Sequence, residues 1–443
     1  MKKFLSSKIF RAIWSLGLAA LLYYICPPCF SKTTLAIVLG ILVILVNSSS
    51  LLAKAPIITH ISRFLVGGLF IFSGFIKAND PVGFSYKLKE YFEVFQEDSG
   101  LGIFESFAHI ALPLAILLCV SEMALGFMLL VGYRKNLTLG LLLAQICFFT
   151  FLTFYSACFN KVTTCGCFGD FLVLKPWESF WKDIILLILI TLLYAGKESI
   201  NELFSPLLTI TFTIIAIVLS VLFPIHTYRN LPVFDFRAYK IGNNIKDNMK
   251  PGAGYEPAKY ESMLVYENLK TGESKEFSNE EYNRLKIWED TLTWKWEATN
   301  NKLIHDAINP PKIVDFSITS LDGYDLKDSV LNNKDYMFLL ICWDLTQTDD
   351  DETLHAKIND LYKLAASDKI KILALTQNDA KMIDEYKHKH QALYDFANAD
   401  GVVLKTMVRS NPGLILIKDG TIIMNWHHNN FPSYSDVKQK YMK

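Results

Sequence analysis

The sequence predicts an α-helical transmembrane bundle of about seven spans, followed by an exported α/β domain that a β-rich segment joins to it. Three observations carry that prediction. From Lys2 to Phe223 the chain is a succession of apolar runs with short polar breaks, whereas the rest has the make-up of a soluble protein. Every second connection between the runs is short and basic, the pattern that sets membrane orientation. Beyond residue 311, buried-strand patterns alternate with amphipathic-helix patterns, as in a mixed sheet flanked by helices. The 44 basic residues balance the 44 acidic ones, so no positive excess points to a nucleic-acid partner.

The apolar runs lie at 9–25, 34–50, 61–76, 107–131, 137–157, 180–195 and 203–224. Each holds roughly 16 to 25 residues, against the ~20 that an upright helix needs. The second loses its apolar core at Val46, before "NSSS", so a re-entrant hairpin or interfacial helix is the alternative there. No small-residue cleavage site follows the first, which reads as a retained helix. Lys2, Lys3, Lys8 and Arg11 precede the first run, Lys54 follows the second, Arg134 and Lys135 the fourth, and Lys197 the sixth. The intervening loops carry Glu90, Glu93, Glu97, Asp98 and Glu105, or Asp170 and Glu178. The expected topology is a multi-pass protein of the inner (cytoplasmic) membrane, with a cytoplasmic N-terminus and a periplasmic C-terminal domain.

That topology sorts the eight cysteines. Cys26, Cys29, Cys158, Cys165, Cys167 and Cys342 fall on the outer side, where disulfides form and persist, and Cys119 and Cys147 fall within spans. "CPPC", from Cys26 to Cys29, has the spacing of a redox pair stiffened by its prolines. A bridge across Cys165-Gly166-Cys167 is strained, whereas Cys158 closes a longer ring with either and leaves the third thiol to attack it. Cys158, Cys165 and Cys167 are the candidate catalytic thiols, with Cys26, Cys29 and Cys342 behind them. A plain structural disulfide remains open beside dithiol exchange, and no histidine stands near to complete a tetrahedral metal site.

Within the bundle, Glu122 lies roughly 13 Å and Gln145 about 12 Å from the cytoplasmic ends of their spans at 1.5 Å per residue. Arg63 starts shallower and reaches inward. Because a buried carboxylate in lipid is costly alone, Glu122 is expected to contact Arg63, Gln145 or both, as a structural clamp, a proton relay or a quinone contact. Gly67, Gly68 and Gly74 permit close helix approach.

Two motifs resemble known families. "ISRFLVGGLFIFSGFIKANDPVGF", residues 61–84, resembles the opening helix of the DoxX family through Arg63, Gly67-Gly68, Ser73-Gly74, Lys77 and Asp80-Pro81. "CGCFGD", residues 165–170, resembles the loop of the related MauE family of redox-associated membrane proteins. The resemblance covers about residues 57–196 and implies a four-helix bundle with thiol or respiratory redox association; the cofactor stays open, with a quinone as the candidate. It leaves a transmembrane hairpin (1–56) and a seventh span (197–230) as additions.

The connector, 231–310, contains "YESMLVYENLKTGESKEF", which alternates about "KTGE" as a hairpin does, and "WKWEATNNKLIH" adds a strand. "NPPK" marks a boundary. In 311–443, "DYMFLLICWDL" and "KIKILALTQ" read as buried strands. "DETLHAKINDLYKLAAS" and "DAKMIDEYKHKHQ" read as helices, and "GLILIKDGTIIMNW" as a hairpin turning at Asp419-Gly420. This order resembles the thioredoxin fold of the TlpA type, with Cys342 at the first active-site cysteine and Asn411-Pro412 at the cis-proline position, so that Pro412 joins the site. The motif here is Cys342-Trp343-Asp344-Leu345, and the resolving cysteine is absent from it. A self-contained dithiol cycle cannot run on one thiol, which favours a binding module.

Together these features describe an envelope membrane protein with a thiol–disulfide or quinone-linked redox role, an oxidoreductase in the first case. The rival is a non-enzymatic scaffold whose thioredoxin-like domain binds an exported protein. The partners expected are the lipid bilayer and an exported thiol protein or another envelope protein.

Overall fold

The computed structural model describes Gly40 and residues 56–162, 166–305 and 307–442. The first two expected spans, together with Cys26, Cys29 and Cys165, lie outside the described residues.

Among the described residues, seven α-helices form the N-terminal half: α1 (Pro56–Asn79), α2 (Pro81–Ser99), α3 (Ile103–His109), α4 (Ala111–Val131), α5 (Lys135–Phe159), α6 (Pro176–Ala195) and α7 (Pro206–Arg229). Of these, α1, α4, α5 and α7 are long and apolar enough to cross a membrane. The shorter-run helix α6 carries Glu178, Lys182 and Asp183 in its first half and is not among them. The expected span 107–131 is interrupted at Ile110, where α3 ends and α4 begins.

The connection expected as an outer loop after the third span is instead the helix α2. Asp80 caps it by accepting from the Gly83 amide at 2.8 Å, Pro81 starts it, and Gly100 at φ +67° ends it. Its buried residues Phe84, Leu88, Tyr91, Phe92 and Phe95 recur at helical spacing and pack with α4. Charged residues between them keep the segment from reading as a span.

Helices α1 and α4 touch backbone to backbone. A Cβ on Gly126 would sit 2.7 Å from the Gly67 carbonyl oxygen, and one on Gly74 would sit 2.8 Å from the Glu122 Cβ. Small residues at these crossings let packing hold the pair together where no hydrophobic drive operates. Gly68, expected to share this role, faces open space.

The C-terminal half is sheet-rich. Strands β1 (Lys259–Asn268), β2 (Ser274–Ser278) and β3 (Trp294–His305) form an antiparallel sheet in the order β2-β1-β3. A second sheet of six strands follows: β4 (Thr319–Ser320), β5 (Tyr336–Ile341), β6 (Lys371–Thr376), β7 (Asp395–Asn398), β8 (Gly413–Lys418) and β9 (Thr421–His427), in the order β4-β7-β6-β5-β8-β9. Strands β5, β6 and β7 are parallel, β8 returns antiparallel to β5, and β9 runs antiparallel to β8. Helices α8 (Glu352–Ser367), α9 (Ala380–His390), α10 (Gly401–Met407) and α11 (Tyr434–Tyr441) connect or follow these strands, and an apolar core lies on each face. The near-continuous burial of β5, β6 and β8 is what a sheet covered on both sides requires.

Candidate functional site

The loop after α5 is built to present sulfur. Cys158, half-buried in the last turn of α5, is disulfide-bonded. The other described cysteines, Cys119, Cys147, Cys167 and Cys342, carry thiols, so the partner of Cys158 lies outside the described residues. Cys167 is buried with Ile76 and Phe168, and its carbonyl accepts from Ser73 Oγ at 3.2 Å, which pins the loop to the C-terminal part of α1. Gly166 (φ +69°) and Gly169 (φ +49°) turn the chain on either side through the left-handed region.

One helical turn beyond Gly74, Lys77 pairs its ammonium with Glu122 Oε1, both residues being 2% exposed. The ammonium also lies 4.3 Å from the Phe149 ring centroid. This corrects the expected Arg63–Glu122–Gln145 cluster. Arg63 donates to the Leu129 and Leu130 carbonyls at 2.8 and 2.7 Å and caps the end of α4. Gln145 donates to the Leu118 carbonyl and Ser121 Oγ at 3.2 and 2.9 Å. The reason is register. The glycine contacts set α1 antiparallel to α4, which puts Arg63 beside Leu129, seven residues or about 10 Å along the helix from Glu122. Lys77 stands close, and a helical side chain leans back toward its own N-terminus, hence toward Glu122.

The sheet domain meets this end of the bundle. Arg409, buried just after α10, donates from Nε to Asp80 Oδ2 at 2.8 Å and from Nη2 to Asp170 Oδ2 at 3.2 Å. Asp80 is the cap of α2 and Asp170 closes the "CGCFGD" loop, so one guanidinium ties the cap, the loop and the sheet domain. Burial pushes the Asp170 carboxyl up, with Arg409 pulling the other way. Asn79, at the end of α1, exchanges two hydrogen bonds with the Phe234 backbone, at 2.7 and 2.9 Å. Between these contacts lies a cavity of about 480 Å³, bordered by Cys167, Asp170, Lys87, Phe236, Lys405 and Arg409. Its size is that of a small-ligand site.

Cys342 does not reach that cavity. It is fully buried in the core beneath β5, and burial pushes its thiol up to about 12 although a bond from Tyr386 opposes this. A protonated, enclosed thiol is no nucleophile, which corrects its place among the candidate thiols. Leu345 packs against the same core. The Asn411–Pro412 bond is cis, and Asn411 Nδ2 donates to the Asp344 carbonyl at 2.7 Å, so Pro412 lies beside the Cys342–Leu345 segment without a thiol to serve. Among the described residues no group of three His, Cys, Asp or Glu is placed to hold a metal ion.

Sequence reasoning missed Asp80, Asp170 and Arg409 as a group. Asp80-Pro81 is a legible helix start, but nothing in the sequence links it to an arginine 329 residues away.

Comparison with known proteins agrees with the membrane half. Residues 55–196 match the family model described as methylamine utilisation protein MauE. Among solved structures, that of a candidate protein disulfide isomerase from Bacteroides thetaiotaomicron aligns at 16% identity over 28% of this chain and 82% of its own, with a TM-score of 0.24. No curated protein matches. The four apolar helices and the MauE match make this a membrane protein with a MauE-like domain at residues 55–196.

Proposed function

We propose that this envelope protein carries out thiol–disulfide exchange at the loop between α5 and α6. The observation that carries the reading is a disulfide at Cys158, in the last turn of α5, and a thiol at Cys167 in the loop that follows and borders the 480 Å³ cavity. In the exchange, the Cys167 thiolate attacks the Cys158 sulfur and a bond forms between them. The former partner leaves as a thiolate and takes up the proton that Cys167 lost. No electrons are gained or lost, so the step needs no further oxidant. An exported protein thiol or disulfide entering the cavity joins the same cycle as a mixed disulfide.

The reading includes seven spans, a cytoplasmic N-terminus and a thioredoxin-like sheet domain in the periplasm of the inner membrane. The strand order, with helices on both faces, supports that fold. A reporter enzyme fused after Lys443 should be active only as an exported enzyme, and cytoplasmic activity would reverse the side assigned to every thiol. For net oxidation of a substrate dithiol the acceptor class is a quinone, which takes two electrons and two protons when bound. The apolar groove of about 510 Å³ among α1, α4 and α7 fits its ring, with Phe75, Phe127 and Phe223 as walls and Ser220 and His226 as polar groups.

The second reading, a scaffold whose sheet domain binds an exported protein, is favoured by the burial of Cys342 and by Leu345 at the resolving position. Labelling of the full chain with and without mild reductant, followed by mass spectrometry, separates the two. Exchange requires the Cys158 disulfide to open under mild reductant, and a disulfide that opens only on denaturation leaves the scaffold.

A further inference from the structure

A second, smaller cavity of about 20 Å³ lies below the thiol loop, between α1, α4, α5 and α6. It has room for a single water. Its polar lining is Ser73, Lys77, Glu122, Lys182 and Asp183, together with Cys167. The residues common to this cavity and the 480 Å³ cavity above it are Lys77 and Cys167. They form the partition between the outer space and the buried one. Glu122 Oε2 is buried and has no hydrogen-bond partner among the described residues, while Oε1 of the same carboxylate holds Lys77.

We infer that the Lys77–Glu122 pair is the acid–base partner of the Cys167 thiol. The inference rests on the exchange reading and assigns the proton in it. The Cys167 proton passes through the small cavity to Glu122 Oε2, and the Lys77 ammonium changes counterion from the carboxylate to the new thiolate. One cation and one anion are present before and after, so the transfer never leaves a net charge in the buried region, where an unpaired ion is costly. Once Cys167 has formed its new S–S bond, Glu122 returns the proton to the displaced thiolate and pairs with Lys77 again.

Several other charged groups around the loop have partners of their own, and Lys405 lies over the Trp343 ring at 4.5 Å. From α6, Lys182 lies 2.7 Å from Asp183, whose other oxygen accepts from Thr153 at 3.0 Å. From α2, Lys87, whose stem packs on Gly166, pairs with Glu90 at 2.8 Å. Asp170 and Asp80 face Arg409 from the sheet domain. Cys119, on α4, is a fully buried thiol. Lys77 and Glu122 remain as the pair that faces Cys167 from inside the bundle.

The test is the rate of iodoacetamide alkylation at Cys167 at pH 7, read by mass spectrometry on the full chain in detergent micelles. Glu122→Gln leaves the Lys77 charge to the thiolate, so alkylation quickens about tenfold, the equivalent of one pKa unit. Lys77→Met leaves the carboxylate facing the sulfur, so alkylation slows about tenfold or more. The double variant Lys77→Met/Glu122→Leu buries no unpaired charge, and covers the case that a single variant does not fold. Its rate falls below wild type. Quickening in Glu122→Gln with slowing in Lys77→Met, together with a slowed double variant, supports the inference. Equal signs, or no change in the double variant, overturn it, because a merely structural pair would loosen the loop in every case. If the signs split while the Cys158 disulfide is inert to mild reductant, the exchange reading fails and the acid–base pair stands. A labile disulfide without the split does the reverse.

Discussion

Arg409 Nη2 lies 3.2 Å from Asp170 Oδ2, so the last residue of the thiol loop is held by the sheet domain. The same guanidinium holds Asp80 at the cap of α2, which makes Arg409 the shared support of the loop and of one wall of the cavity. Replacing Arg409 by Met strands two carboxylates and should cost about 1–3 kcal/mol, below the ~3–5 kcal/mol of a fully buried broken pair because Asp170 is 46% exposed. The loop is then released, and alkylation of Cys167 and limited proteolysis near Asp170 should both quicken several-fold. Unchanged rates of both would show that the contact carries no load.

The crossing of α1 and α4 makes a paired prediction. A methyl group on Gly126 meets the Gly67 carbonyl at 2.7 Å, whereas one on Gly68 meets nothing within 4 Å. Gly126→Ala should therefore force the helices apart and lower stability by about 1–3 kcal/mol, with loss of the Lys77–Glu122 register. Gly68→Ala should be neutral or slightly stabilising, since glycine is a poor residue inside a helix. Thermal unfolding in one detergent checks both, and equal effects would contradict the crossing.

Much of the bundle was legible because apolar runs of span length declare themselves, as in α1, α4, α5 and α7. Helix α2 was not, because Lys87, Lys89, Glu90 and Glu93 break the run that Phe84, Leu88 and Phe92 would otherwise form. That Glu122 needs a partner follows from its burial in an apolar run. Which partner it takes depends on where glycines let two backbones meet, and no single helix records that. That Cys167 stands in a loop between two helices was legible from "CGCFGD" itself. The clamp by Arg409 was not, since it joins distant parts of the chain through folding alone.

Cys342 should behave as a core residue. Its thiol, pushed up to about 12 by burial, stays protonated across the physiological range. In the folded chain iodoacetamide should leave it unlabelled while Cys167 reacts. Cys342→Ala should cost about 1 kcal/mol through a small cavity and leave exchange intact. Labelling of Cys342 at neutral pH, or lost exchange in that variant, would return it to the site.

The sheet domain should lose stability in acid through its histidines. Burial, with His428 beside it, lowers His427 to about 3, and its Nδ1 accepts from the Asn429 amide at 3.2 Å, which requires the neutral ring. A histidine lowered in the folded state contributes stability above its ordinary value near 6.5 and forfeits it as pH falls toward the folded value. Tm should accordingly drop between pH 6.5 and 3, and His427→Gln should flatten that decline. A Tm that rises over the same interval would contradict the neutral buried ring.

The account stands on exchange between Cys158 and Cys167, and mixed-disulfide trapping in membranes tests it most directly. Non-reducing electrophoresis is compared for wild type, Cys167→Ser and the Cys158→Ser/Cys167→Ser double variant. The account predicts a reductant-sensitive adduct with another envelope protein that accumulates in Cys167→Ser, where the attacking thiol that would resolve it is gone, and is lost in the double variant. The same pattern in all three, with folding unchanged, would mean that the cysteines only staple the loop, and would contradict it.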